Sequence, residues 1–130
     1  MNLYTSIQEL TLELKKQRKN NNTICLVPTM GSLHEGHYSL VHKALEISEY
    51  VWVSIFVNPT QFNNKNDFIN YPKNLNKDIV TLNAISKKIK IFAPSTKEIY
   101  GENIEPQKFD FGYIGKVMEG KFRENHFNGV

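Results

Sequence analysis

Three short apolar runs constrain this chain most. Ile24-Cys25-Leu26-Val27, Val51-Trp52-Val53-Ser54-Ile55-Phe56-Val57 and Lys90-Ile91-Phe92-Ala93 are apolar at nearly every position, Ser54 and Lys90 apart, and not at alternate ones. Pro28, Asn58-Pro59 and Pro94 stop them. Such runs read as strands buried on both faces, which need helices on both sides of the sheet. The stretches between them have helical spacing. Residues 6–19 place Ile7, Leu10 and Leu14 on one face, and Ser6 with Glu9 has the spacing of a capping box. A second helix runs from residue 36 or 37 to about 48, with Leu40, Val41, Ala44 and Leu45 inward. A third covers residues 74–86, with Ile79, Leu82 and Ile85 inward. Strands alternating with helices predict an α/β fold, a Rossmann-like parallel sheet with helices on both faces. Residues 60–72 read as a polar loop, 98–111 as mostly irregular, and 115–120 as a short helical turn.

A chain of 130 residues suits a single domain, 1–130, with one core. Its 40% hydrophobic and 22% charged residues are those of a globular protein. No apolar run is long enough to span a bilayer, and the first residues lack the pattern of a secretory leader, so the expectation is cytoplasmic with no membrane partner. The single cysteine, Cys25, lies inside an apolar run and reads as a core thiol in a reducing compartment. The net charge of +3 comes from scattered lysines without interleaved aromatics, which argues against a nucleic-acid surface.

The chemistry gathers beyond the first long strand, in Pro28-Thr29-Met30-Gly31-Ser32-Leu33-His34-Glu35-Gly36-His37. In open α/β sheets, ligands bind beyond the carboxyl ends of the strands. A helix N-terminus there offers free N–H groups and the positive end of a dipole, a ready site for phosphate. Gly31 and Gly36 permit close approach, and His34 and His37, three apart, can aim both rings at one ligand. Transfer of an adenylyl group needs donors fixed where phosphoryl oxygens gain charge, and an imidazole can donate a hydrogen bond or a proton at neutral pH. Zinc is a competing reading, but HExxH spaces its histidines by four, and a third ligand would have to come from His42 or His126. No metal site of the chain's own is expected. A pair of ordinary surface histidines at a helix start is the other alternative.

HxGH after a first strand resembles the nucleotidylyltransferase and class I aminoacyl-tRNA synthetase superfamily. The longer string from Val27 to Val41, VPTMGSLHEGHYSLV, is similar to the pantothenate synthetase (pantoate–β-alanine ligase) family in particular. So is VSIFVNPTQF from Val53 to Phe62, followed by Asp67 and Tyr71-Pro72. Phe92-Ala93-Pro94-Ser95 and the last twelve residues, EGKFRENHFNGV, also match, so the resemblance covers nearly the whole chain. It implies an ATP-dependent ligase that makes pantoyl adenylate and then joins the acyl group to β-alanine, giving pantothenate and AMP, with Mg²⁺ accompanying ATP. Residues 1–130 would be the N-terminal ATP- and pantoate-binding domain, truncated before the C-terminal domain and inactive alone. Met30, Gly31, Ser32, Leu33, His34, Glu35, Gly36 and His37 would line the ATP site. His37 would be the acid that assists pyrophosphate departure, and His34 would share the phosphate contacts. Gln61 and Asn58, with Arg123 and His126, would meet pantoate and β-alanine. Glu124 and Asn125 replace the Pro-Gly that the family has between that Arg and His, which predicts a less rigid loop. Dimers are common in the family. The competing functions are another HxGH nucleotidyltransferase, against which NPTQF argues, and a nucleotide-binding fragment without catalysis.

Overall fold

In a computed structural model that describes residues 2–62, 65–69 and 74–101, four parallel strands form one sheet in the order β1-β4-β3-β2. The elements follow as β1 (Leu3–Tyr4), α1 (Ile7–Lys19), β2 (Ile24–Thr29), α2 (Glu35–Ile47), β3 (Tyr50–Ile55), a 3₁₀ turn (Pro59–Gln61), α3 (Lys65–Ile69), α4 (Leu75–Ile85), β4 (Ile89–Phe92) and α5 (Thr96–Tyr100). This is the expected α/β architecture.

The two faces of the sheet differ. Cys25 and Val27 stand in register with Val51 and Val53, and these with Ile89 and Ile91. That face packs on Val41 and Ala44 of α2 and on Ile79 and Leu82 of α4, forming the core. Val41, Val51, Val53, Leu82, Ile89 and Ile91 are all fully buried, each contributing about 1.5–3 kcal/mol relative to exposure. The exposed Lys43–Glu46 pair on α2 is worth at most about 1 kcal/mol, so burial is what seats that helix. The opposite face carries Trp52 and Lys90, in register with each other, and is covered by α1. There Trp52 Nε1 donates to Oε1 of the buried Gln17 at 2.9 Å, and Lys90 meets Glu13 at 3.9 Å. The Tyr4 ring lies 5.1 Å from that of Trp52.

Several expectations shift. The strand expected to stop at Pro28 runs through it to Thr29. Thr29 O accepts from Phe56 N, so Thr29 faces β3 and the imide of Pro28 faces the open side, where no donor is missed. Among the described strands β2 is an edge, and with Leu26 62% exposed it is not buried on both faces. β3 ends at Ile55, short of Val57. β1 was not expected; two residues are too short for a sequence pattern, and it exists because Leu3 and Tyr4 pair with Ile91 and Phe92. The stretch read as irregular from residue 98 contains most of α5, capped by Ser95 Oγ accepting from Glu98 N. The polar loop of 60–72 contains the end of the 3₁₀ turn and α3. The 115–120 turn lies outside the described residues. Cys25 is half-buried against the core.

Candidate functional site

Parallel strands put all four carboxyl ends on one edge of the sheet, and the sequence-selected residues collect there. Thr29, the last residue of β2, fastens the turn that follows. Its hydroxyl donates to Ser54 O at 2.9 Å and accepts from Gly31 N at 3.2 Å. Gly31 is buried at φ +84°, where any Cβ would sit 3.2 Å from Ile55 Cγ2. Ser32 follows at φ +50°, a left-handed conformation that is uncommon outside glycine. Two consecutive left-handed residues reverse the chain and deliver His34 to the start of α2.

His34 is itself the N-cap. Its Nδ1 accepts from Gly36 N at 3.1 Å, while His37 Nδ1 accepts from His34 N at 3.1 Å. This is a capping box made from two imidazoles in place of hydroxyl and carboxylate. The consequence is chemical. A ring nitrogen that accepts an N–H carries no proton, so the neutral tautomer of each ring has its proton on Nε2. The two rings lie 4.1 Å apart between centroids. Burial, and then the neighbouring His34, hold the His37 pKa below the usual histidine value; the Asp78 carboxylate opposes them. His37 is thus favoured as a neutral ring with one outward donor. Gly36 makes room for this: a Cβ there would meet His34 Cε1 at 2.9 Å.

The rings open onto a cleft of about 500 Å³ lined by Pro28, Thr29, Met30, His34, His37, Ser54, Phe56, Asn58 and Gln61. Its second wall is the turn after β3. Asn58 Oδ1 accepts from Thr60 N at 3.1 Å and caps the 3₁₀ turn, with Pro59 at the position where no N–H is needed. The same oxygen accepts from Tyr100 Oη at 2.6 Å, so α5 braces this turn from β4's side of the sheet. A neighbouring cleft of about 300 Å³, more apolar, lies toward the starts of α4 and α5, and Met30 and Phe56 line both. The larger one is the better candidate for chemistry, because both histidines and Gln61 line it.

Of the residues selected from sequence, Met30, His34, His37, Asn58 and Gln61 come together around one cleft. Gly31, Ser32, Leu33, Glu35 and Gly36 are not among its lining residues; they build the turn and the first turn of α2. Arg123 and His126 lie outside the described residues, as do Tyr71-Pro72 and the side chain of Asp67. Among the described residues no group of three His, Cys, Asp or Glu is placed to hold a metal ion, and no helix is long and apolar enough to cross a membrane. Two residues of the site were missed. Asp78 accepts from the Ser32 and Leu33 amides; its signal was a carboxylate one turn before Leu82 on the apolar face of α4. Tyr100 had no signal, since its bond to Asn58 spans 42 residues.

Known proteins share this sequence and fold. The pantoate-β-alanine ligase family model matches residues 2–130. A pantothenate synthetase of Christiangramia forsetii is 51% identical over the whole chain, and one of Phocaeicola vulgatus 48%. The chain spans about half the length of these relatives, 46% and 45%. A solved pantoate-β-alanine ligase from Francisella tularensis, complexed with β,γ-ATP and β-alanine, superposes with a TM-score of 0.89 at 40% identity, covering 99% of this chain and 49% of that one. The pantothenate synthetase of Thermus thermophilus gives 0.87 at 34%, covering all of this chain and 45% of that one. With the family model matching residues 2–130, a relative 51% identical over the whole chain and solved members sharing the fold, this chain belongs to the pantoate-β-alanine ligase family.

Proposed function

We propose that this chain is the ATP- and pantoate-binding half of an enzyme that condenses pantoate with β-alanine at the expense of ATP. The observation that carries the proposal is the pair of imidazoles at the N-terminus of α2, with both Nδ1 atoms taken by backbone amides, opening on the cleft that also holds Gln61. The family supports the reaction, and the Francisella tularensis complex supports ATP and β-alanine as its ligands.

In the reaction proposed, a pantoate carboxylate oxygen attacks the α-phosphorus of ATP, the bond to the bridging oxygen breaks, and pyrophosphate leaves. The amine of β-alanine then attacks the acyl carbon of the adenylate, loses a proton, and AMP departs with the acyl oxygen. His34 and His37 donate from Nε2 to phosphoryl oxygens as charge builds there. Fixed donors need no reorganisation at that moment, which is where such sites gain most of their rate. His37 then acts as a neutral donor rather than as an imidazolium acid. Met30 lines both clefts, and the turn of 31–36 holds the donors in place. Gln61, with one acceptor and two donors, can meet a hydroxyl and a carboxylate of pantoate together, beside Asn58. Arg123 and His126 complete the acid site in this reading. Mg²⁺ would arrive with ATP and would offset charge on its phosphates. A cytoplasmic location and a homodimer complete the proposal.

The test is a paired calorimetric titration of the wild type and Gln61→Ala with ATP and with pantoate. Loss of one or two hydrogen bonds should weaken pantoate by roughly tenfold and leave ATP within about twofold. Equal weakening of both, or an unchanged pantoate affinity, would remove Gln61 from the acid site.

A further inference from the structure

Asp78 is 3% exposed, yet among the described residues no cation lies within ion-pair range of it. A buried carboxylate without a counter-charge is costly unless its oxygens are fully used by donors. Here both are used by one short segment. Oδ2 accepts from Ser32 N at 2.9 Å and Oδ1 from Leu33 N at 3.1 Å. Asp78 lies in the first turn of α4, where the helix dipole favours an anion. It therefore reaches across 46 residues to hold the segment that is left-handed at Gly31 and Ser32. The left-handed conformation at Ser32 is unfavourable for a residue with a Cβ, and charge-assisted bonds of this type offset it.

We propose that Asp78 is a positioning residue for the two histidines: its carboxylate clamps the Ser32 and Leu33 amides and so fixes the turn that places His34 and His37 as outward Nε2 donors. The inference rests on the function proposed above, but the clamp is local and can be read without any ligand. The clamp also assigns these amides. Ser32 and Leu33 N–H bond to Asp78, so a ligand could take them only by breaking the clamp, which leaves the imidazole pair as the side-chain donors of this turn. Asn cannot replace the carboxylate here, since one of its two atoms would present an N–H to a backbone N–H.

The experiment compares wild type, Asp78→Asn and Gly31→Ala by long-range ¹H–¹⁵N spectra of the histidine rings, without ligand, followed by ATP titration. Gly31→Ala disturbs the same turn from its other side, where a Cβ would lie 3.2 Å from Ile55 Cγ2 and 3.6 Å from Asp78 Oδ2, and leaves α4 intact. In wild type, Nδ1 of His34 and of His37 should show the signal of an unprotonated, hydrogen-bonded acceptor. Both variants should lose that signature at both rings while retaining a cooperative unfolding transition, and ATP should bind roughly 10- to 100-fold more weakly, the scale of one or two lost charge-assisted hydrogen bonds. A general loss of stability would not by itself change the tautomer signature of a folded variant. Should Asp78→Asn fail to fold, Gly31→Ala decides alone. If Gly31→Ala shifts the Ser32 and Leu33 amides but leaves both ring signatures and ATP affinity unchanged, the clamp does not position the histidines. A wild type with the expected ring signatures that binds no ATP would instead overturn the functional reading and leave the clamp standing.

Discussion

At the scale of single residues, His37 shows how a backbone bond can decide side-chain chemistry. Its Nδ1 accepts from His34 N, and burial next to a second imidazole disfavours its charged form. The pH dependence follows from that depressed pKa. Above about pH 6.5 the ring is neutral in both the folded and the unfolded chain, and its contribution is fully present. As pH falls below that value, the unfolded chain takes up a proton that the folded ring resists, so stability declines until the folded pKa is passed. Urea midpoints of wild type and His37→Gln across pH 7.5 to 5 should therefore diverge, with the variant's profile the flatter. Parallel profiles would mean that the ring titrates alike in both states. The string from Met30 to His37 was legible because glycines and histidines at fixed spacing have a mechanical meaning before any packing is known. Asp78 was not, because its partners are backbone amides 45 and 46 residues away. Its only trace was a carboxylate on an apolar helix face.

At the scale of elements, the core face of the sheet was readable and the α1 face was not. Ile79 and Leu82 of α4, and Val41 and Ala44 of α2, are buried as their spacing required. Along α1 the apolar positions were only a partial guide. Leu10 and Leu14 are half-buried and Ile7 is 44% exposed, while Gln17 is the buried residue, because Trp52 on β3 needs an acceptor for its indole N–H. Periodicity reports hydrophobic pairing, and a polar pair across 35 residues leaves no period. This bond ties α1 to the sheet, so Gln17→Ala should cost about 1–3 kcal/mol in urea unfolding, the penalty of a buried donor left without a partner. The double variant Gln17→Ala/Trp52→Phe should cost less than the sum of the two single changes, because the orphaned group is gone. Strict additivity would show that the bond is worth nothing. Short elements such as β1 and α5 escaped for a related reason: pairing with β4 and a serine cap decide them, not a pattern of their own.

At the scale of the whole molecule, the sheet gathers at one edge what the sequence spreads over 70 residues: the histidine turn after β2, the Asn58–Gln61 turn after β3, and α5 after β4 bracing the latter. That convergence follows from parallel strands, which put every strand-to-helix turn on the same side. The family match extends over the whole chain while the chain spans about half of its relatives' length. The central claim is therefore one of binding: these residues hold ATP through two imidazole donors. It is tested most directly by calorimetric titration of this chain with Mg-ATP, for wild type and for His34→Ala/His37→Ala, with circular dichroism as the check on folding. Two charge-assisted hydrogen bonds are worth about 1.5–3 kcal/mol each, so the account predicts saturable binding by wild type and affinity lower by at least about tenfold in a folded double variant. Equal affinity in the two, or no binding by the folded wild type, would contradict it.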